Sequence, residues 1–139
     1  MWPGILTRWP TINPHFLYNT LDIAYWTAKM ERASQTSEMI DSLSQFFRHA
    51  LIMDDDFTTV GNEIEHLRYY IILKRQGKTS FDFELDYEEE TLGCRVVKLV
   101  LQPLVENAIL HGISGIKDGK VEVNIFRDGE TLKYEVKDN

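Results

Sequence analysis

Apolar residues recur at helical spacing in the first part of the chain. Steps of four, three and four residues separate Leu17, Leu21, Ala24 and Ala28. Such steps are typical of a helix whose apolar seam packs against another helix. The same steps separate His15, Asn19, Asp22 and Trp26, which at about 100° per residue lie nearly opposite the seam. The pattern predicts one helix, capped by Asn13 and begun by Pro14, with an apolar seam and a separate, chemically mixed stripe.

A second helix is predicted after the turn-forming residues Ser34 to Ser37. Its apolar seam consists of Met39, Leu43, Phe46 and Ala50. We expect it to end at the acidic turn Asp54 to Asp56, so that the two helices form an antiparallel hairpin. A lone hairpin buries little surface, whereas two hairpins from two chains make a four-helix bundle. The pattern therefore favours a homodimer, held by seam residues such as Leu21 and Leu43.

The rest of the chain mixes helical and strand-like patterns. A third helix is predicted from Asn62 to Gln76 and is closed by Gly77. Strict alternation from Phe81 to Tyr87 predicts a strand with one buried face. Apolar residues surround the segment from Arg95 to His111, which predicts a buried fourth helix. Asp128-Gly129, between two alternating segments, predicts a β-hairpin. The face of the third helix is expected to contain Ile64, Leu67, Ile71 and Arg75.

Composition narrows the functional classes. The 139 residues are 43% hydrophobic and 27% charged, which favours a globular chain over a disordered or fibrous one. A net charge of −7, without a basic cluster, argues against nucleic-acid binding. The longest apolar run, Tyr69 to Leu73, is far shorter than the roughly 20 residues of a membrane helix. We therefore expect no direct membrane contact, and the single cysteine, Cys94, fits a reducing, cytoplasmic location.

Two long segments carry specific motifs. Ile12-Asn-Pro-His-Phe-Leu-Tyr-Asn-Thr-Leu21 resembles the phospho-acceptor box of LytS-like sensor histidine kinases. Leu101-Gln-Pro-Leu-Val-Glu-Asn-Ala-Ile-Leu-His-Gly112 resembles the N box of the ATP-binding domain in the same family. Between them, Leu43-Ser-Gln-Phe-Phe-Arg48 and Asn62-Glu-Ile-Glu-His-Leu-Arg-Tyr-Tyr-Ile71 resemble the family's intervening helices. The resemblance covers the chain from about Ile12 to its last residue.

The resemblance implies that His15 accepts a phosphoryl group. An exposed imidazole nitrogen that is neutral near physiological pH can attack the γ-phosphoryl group of ATP in line. Phe16 follows it, at a position where many other histidine kinases carry an acidic residue that acts as base. Asn19 and Asp22 share the helical stripe of His15 and are candidates for polarising the imidazole or positioning a water. Surface solvation is the alternative role for both.

The same resemblance implies a site for Mg²⁺ and ATP in the second part of the chain. Asn107 would ligate the Mg²⁺ that bridges the phosphates, since an amide oxygen suits this hard cation. Glu106 would act on the metal through water, contact the acceptor helix or face solvent. Gln102 and His111 would line the phosphate end of the pocket. Leu110 stands where the family commonly has a lysine, so one cationic phosphate contact is expected to be absent.

Asp138 would begin the family's Asp-x-Gly box, in which the aspartate accepts a hydrogen bond from the adenine amine. The glycine, the lid and the later glycine-rich box of the family do not follow within the 139 residues. Backbone cradling of the phosphates is therefore expected to be incomplete, and ATP binding by this chain weak. His49, His66 and Cys94 lack partners at metal-ligand spacing, so no zinc site is predicted.

Together these patterns predict an α+β protein. It would consist of an irregular lead-in at 1–11, a helical phospho-acceptor and dimerisation hairpin at 12–60, and a partial GHKL-type ATP-binding sandwich at 61–139. The implied function is autophosphorylation at histidine and transfer to the receiver domain of a response regulator, in a parent protein that an upstream sensor could anchor to a membrane. Two alternatives stay open. A non-catalytic dimerisation or scaffold module is favoured by Leu110 and the absent glycine boxes, whereas a GHKL-type ATPase would not require the His15 segment.

Overall fold

The computed structural model describes residues 14–51, 56–76, 80–113, 115 and 117–139. The chain forms two compact units, Met1–Ile52 and Met53–Asn139. The described part contains four α-helices and two small sheets, which confirms the expected α+β class. The predicted lead-in, the Asn13 cap, the Gly77 helix end and most of the acidic turn at 54–56 lie outside the described residues.

The first unit is built from helices α1 (Pro14–Met30) and α2 (Ser34–Leu51). The Tyr18 hydroxyl donates a hydrogen bond to the Phe47 carbonyl oxygen at 3.3 Å. Because Tyr18 lies near the start of α1 and Phe47 near the end of α2, the two helices run antiparallel. The seam residues Leu17, Leu21 and Ala24 of α1 are half-buried, and Ala28 is buried.

The second unit begins with strand β1 (Phe57–Thr59) and helix α3 (Val60–Arg75). Helix α3 starts two residues earlier than the pattern indicates, because the Thr59 side chain caps it by accepting a hydrogen bond from the Asn62 N–H at 3.2 Å. Of the four residues expected on its face, Ile64, Leu67 and Ile71 are buried and Arg75 is exposed.

A three-stranded sheet forms the centre of this unit. Its strands are β2 (Asp82–Tyr87), β4 (Lys120–Asp128) and β5 (Thr131–Asp138). Strand β4 lies in the middle, parallel to β2 and antiparallel to β5. The predicted hairpin at Asp128-Gly129 is confirmed, and Gly129 adopts a φ of +66° that glycine tolerates without steric cost.

The prediction of a helix from Arg95 to His111 is wrong for the first six of these residues. Arg95–Val97 forms strand β3, which pairs antiparallel with β1, and helix α4 (Leu101–Asn107) begins only afterwards. Two β-branched valines favour the extended backbone here. Leu99 then adopts a φ of +61°, which interrupts any continuous right-handed helix. A short apolar run fits a strand as well as a helix, so periodicity could not separate them.

The core of the second unit lies between the central strand and the two helices. Strand β4 contributes alternate residues, and α3 and α4 each contribute one face. Residues that are essentially inaccessible to solvent include Leu67, Leu101, Val105, Val121, Val123 and Ile125. This packing fixes α4 against the sheet, and α4 carries the second of the two sequence motifs.

Candidate functional site

The first candidate site is an exposed stripe on α1. His15 is the second residue of the helix, and His15, Asn19, Asp22 and Trp26 are all exposed. Since the seam packs on α2, these side chains are accessible to solvent as a group. A helix N-terminus also favours an incoming anion through its partial positive charge. The stripe therefore combines an imidazole with a carboxamide and a carboxylate one and two turns further along.

Tyr18 fixes the start of α1 against the end of α2. Its side chain is buried, its hydroxyl bonds to the Phe47 carbonyl, and the Arg48 guanidinium lies 4.7 Å from its ring centroid. Burial raises the pKa of Tyr18, and the charge of Arg48 partly opposes this shift. These contacts order the helical turn that carries His15.

An exposed apolar stripe adjoins the stripe of His15 and shares Trp26 with it. Phe16, Ile23 and Met30 are spaced seven residues apart and are 69%, 69% and 84% exposed, and Trp26 is 58% exposed. We call these four residues the exposed apolar stripe of α1. It is separate from the seam that packs on α2.

The second candidate site is the end of α4. Asn107 is the last residue of the regular helix, and its side chain is exposed. Gln102 donates a hydrogen bond from Nε2 to Oε2 of Glu106 at 2.6 Å, one turn apart on the same helix. Gln102 therefore restrains the carboxylate of Glu106, the residue before Asn107 in the chain. The end of α4 thus carries an exposed amide and a restrained carboxylate, and both groups can supply oxygen ligands.

A π-helical turn, Ala108–Gly112, follows Asn107 directly. The Ile113 N–H donates to the Ala108 carbonyl at 3.2 Å, five residues back, as a π turn requires. His111 and Leu110 are both exposed on this turn. Turns of this kind are frequent at functional sites.

Asp138 lies against the end of this turn. A methyl group at Gly112 would overlap the Asp138 carboxylate, so the aspartate side chain packs closely on the glycine and would have to move to admit a larger residue. Asn139 anchors the strand end, since its Oδ1 accepts a hydrogen bond from the Lys120 N–H at 2.8 Å. The fold thus brings Asp138 next to the motif that begins at Leu101, although about thirty residues separate Asp138 from Asn107 in the chain. Nothing near Gly112 in the sequence indicates its contact with this distant carboxylate.

Glu63 on α3 is a second residue that sequence reasoning missed. Its side chain is 3% exposed, and its carboxylate accepts hydrogen bonds from the N–H groups of Leu99, Val100 and Leu101 at 2.7, 3.1 and 3.1 Å. A detectable signal existed in the sequence, because Glu63 lies four residues before Leu67 on the apolar face of α3. A carboxylate in that position requires hydrogen-bond donors when it is buried.

The donor chemistry at α4 fits a hard cation. Amide and carboxylate oxygens are the ligands that Mg²⁺ accepts in proteins, with water completing its shell. Among the described residues, no three His, Cys, Asp or Glu side chains converge as a metal-binding group. A cation here would therefore depend on Asn107, with few other protein ligands.

None of the described helices is long and apolar enough to cross a membrane.

Comparison with known proteins gives a consistent result. Residues 10–78 match the histidine kinase family. The chain is 40% identical over 103 residues to the sensor histidine kinase YesM of Bacillus subtilis, covering 73% of this chain and 18% of that relative. It is 35% identical over 130 residues to the sensor histidine kinase BtsS of Escherichia coli, covering 92% and 23%. The sensor protein LytS of Oceanobacillus iheyensis is 30% identical over 131 residues, covering 92% and 22%.

The matched segment and these relatives define the class as a histidine kinase. More narrowly, the chain belongs to the family of LytS-like sensor histidine kinases. The chain spans about a fifth of the length of the relatives that it matches. Family membership therefore concerns the part of those proteins that this chain matches.

Proposed function

We propose that this chain is the transmitter core of a two-component sensor kinase, which phosphorylates its own His15 with ATP and passes the phosphoryl group to a response regulator. The observation that carries the proposal is the exposure of His15 at the start of α1 within a stripe turned away from the α2 seam. Family membership supports the same reading. An accessible imidazole in this setting is a suitable phosphoryl acceptor.

In the proposed step, a nitrogen of the His15 imidazole attacks the γ-phosphorus of ATP. The new nitrogen–phosphorus bond forms as the bond to the bridging oxygen breaks, and ADP leaves. Positioning and charge neutralisation supply most of the rate in phosphoryl transfer. Asn19 and Asp22 lie on the same exposed stripe, and we assign them the orientation of the imidazole or of a water for dephosphorylation. Transfer to an aspartate of a receiver domain would then follow from phospho-His15.

The second unit is proposed to hold the nucleotide. Asn107 would bind Mg²⁺ through its amide oxygen, with Glu106 acting on the metal through water. When bound, the cation neutralises charge on the phosphates. His111 on the π turn would contact the phosphate end, and Asp138, which lies against Gly112, would accept a hydrogen bond from the adenine amine. The proximity of Asp138 to this turn supports the placement of both ends of the nucleotide at one site.

We also propose that the helical unit forms a homodimer through the exposed apolar stripe of α1. Apolar side chains at heptad spacing are suited to packing between helices. Exposed large apolar side chains that adjoin one another mark interaction surfaces. The stripe, rather than Leu21 and Leu43, is the part of the hairpin that is still accessible for a second chain.

The proposal is tested on full-length protein with Mg²⁺ and radiolabelled ATP. We expect an acid-labile, alkali-stable phosphate that is lost in His15→Gln and retained in His49→Gln, a matched change in the same helical unit. Asn107→Ala should abolish labelling and weaken Mg-ATP binding in calorimetry while the protein stays folded, because Asn107 is exposed. Phosphate on another histidine, or labelling that survives His15→Gln, would favour the scaffold alternative. Hydrolysis of ATP without any protein-bound phosphate would favour the ATPase alternative.

A further inference from the structure

The start of α4 has no capping side chain of its own. The residue at its N-cap position is Val100, which makes no side-chain cap. The first N–H groups of a helix have no partner inside the helix and need one from elsewhere. Here the partner is Glu63 of α3, whose carboxylate accepts hydrogen bonds from the N–H of Leu101, the first residue of α4, and from those of Val100 and Leu99 directly before it. The start of α4 is thus determined by a residue almost forty positions earlier in the chain.

The capping geometry includes an unfavourable backbone conformation. Leu99, whose N–H is 2.7 Å from Oε1 of Glu63, has a φ of +61°. Residues with a Cβ rarely adopt this region, and they do so only where surrounding contacts hold them. A bond between an N–H and a charged carboxylate is stronger than one between neutral groups. The three bonds to Glu63 stabilise this turn, together with the bond from the Lys98 N–H to the Asp56 carbonyl oxygen directly before it.

Helices α3 and α4 also share apolar contacts in the core of the second unit. Ile64, Leu67 and Ile71 of α3 belong to the same buried cluster as Leu101 and Val105 of α4. The hydrogen bonds of Glu63 at the start of α4 are thus supported by apolar packing along the helix.

We propose that Glu63 is a positioning residue of the nucleotide site, which sets the start of α4 and thereby the location of the Asn107 amide at its other end. Helix α4 has fewer than two full turns between these points, so a shift at its start is transmitted directly to Asn107. The inference rests on the proposed function of Asn107. Small misplacements of a binding group have large effects on a phosphoryl-transfer site.

The structural part of the test uses Glu63→Gln in this chain. The glutamine amide has one acceptor oxygen and presents an N–H₂ group to N–H donors, so at least one of the three bonds is lost. Amide hydrogen exchange measured by NMR should accelerate at Leu99 to Leu101 by roughly tenfold or more. Glu65→Gln is the matched control, since Glu65 is an exposed carboxylate two residues along the same helix. Unchanged exchange at all three amides would overturn the inference.

The functional part is a double-mutant cycle in full-length protein. Glu63→Gln should raise the dissociation constant for Mg-ATP by roughly tenfold, and Glu63→Asp by less, since it keeps the charge but reaches less far. In an Asn107→Ala background, Glu63→Gln should add little, because its effect acts through Asn107. Fully additive losses would show that Glu63 serves only general stability and would overturn the inference. If Asn107→Ala itself leaves Mg-ATP binding unchanged, the proposed function fails instead, and with it the role assigned to Glu63.

Discussion

The two units of this chain bury their apolar residues to very different extents. All thirteen members of the buried core cluster belong to the second unit. In the described part of the first unit the buried apolar residues are Tyr18 and Ala28, whereas Phe16, Ile23, Trp26 and Met30 are exposed. The second unit has its own core, and the first has apolar surface that its hairpin does not cover.

This difference fits the roles that we propose for the two units. A nucleotide site needs side chains held in fixed positions, and a packed core with a capped helix provides this. A helical hairpin with a long exposed apolar stripe gains stability when a second hairpin covers the stripe. We therefore expect the stability of the first unit to depend on protein concentration and that of the second to depend on its internal packing.

The largest effect is expected from Leu101→Ala. Leu101 is fully buried at the start of α4, and removing a buried leucine side chain costs about 2–5 kcal/mol of unfolding free energy through lost transfer energy and the cavity left behind. Urea denaturation, followed by signals specific to each unit, should show this loss in the second unit and none in the first.

The matched control is Leu104→Ala on the same helix. Leu104 is 44% exposed, so its truncation should cost about 1 kcal/mol or less. Equal losses for the two variants would contradict the packing described for α4.

Ile23→Glu is expected to have the next largest effect, on association. Ile23 is exposed in the isolated hairpin, so the fold should tolerate the change, within about 0.5 kcal/mol. A dimer packed on the exposed apolar stripe would bury an unpaired carboxylate, and that costs several kcal/mol. Light scattering should therefore find a dimer for the unmodified protein and a monomer for the variant.

The control for this experiment is the same substitution in the other unit. Ile72 is an exposed isoleucine on α3, and Ile72→Glu should leave the dimer intact. A monomer in the unmodified protein, or a dimer that Ile23→Glu does not weaken, would remove the exposed apolar stripe as the interface. Charged replacements of Leu21 and Leu43 are less informative, because those residues are half-buried within the hairpin and their replacement would also damage the fold.

The spacing of apolar residues predicted those helices and strands that bury one face and expose the other. The β-hairpin and the buried face of α3 are local patterns that the sequence displays directly. Strand β3 was missed because its three residues are too few to show a period. The parallel pairing of β2 with β4 was also not predicted, because it depends on packing between segments far apart in the chain.

From the sequence, residues of the candidate site could be proposed only where they lie within one of the two continuous motifs. His15 and Asn107 lie within long motif matches, and the roles proposed for them rest on that resemblance. Glu63 and Gly112 act on partners 36 and 26 residues away, respectively. No local spacing rule relates a carboxylate on one helix to the first N–H groups of another. Such contacts appear only when the fold is known.

The smallest expected effect is a loss of stability at alkaline pH, caused by two tyrosines of the second unit. Burial first, and then the charges of Glu63 and Cys94, raise the pKa of Tyr134 to about 12, and burial and Glu106 do the same for Tyr70. The value for an unperturbed tyrosine is 10.0. Both hydroxyls therefore favour the neutral form more strongly in the folded state than in the unfolded state. Their contribution to stability is complete below pH 10 and is lost as the pH rises toward 12.

We expect the second unit to lose stability between pH 10 and about pH 12. In the same range its ultraviolet absorbance should show a tyrosinate step at higher pH than that of an unperturbed tyrosine. Tyr70→Phe and Tyr134→Phe should each remove part of that step, and the double variant should remove it, because phenylalanine cannot ionise. The comparison residue in the first unit is Tyr18, whose pKa is also raised, by burial opposed by Arg48. Tyr18→Phe should alter the alkaline transition of the helical signal alone. If the double variant in the second unit keeps the absorbance step near pH 12, these two tyrosines are not its source, and the burial assigned to their hydroxyls is wrong.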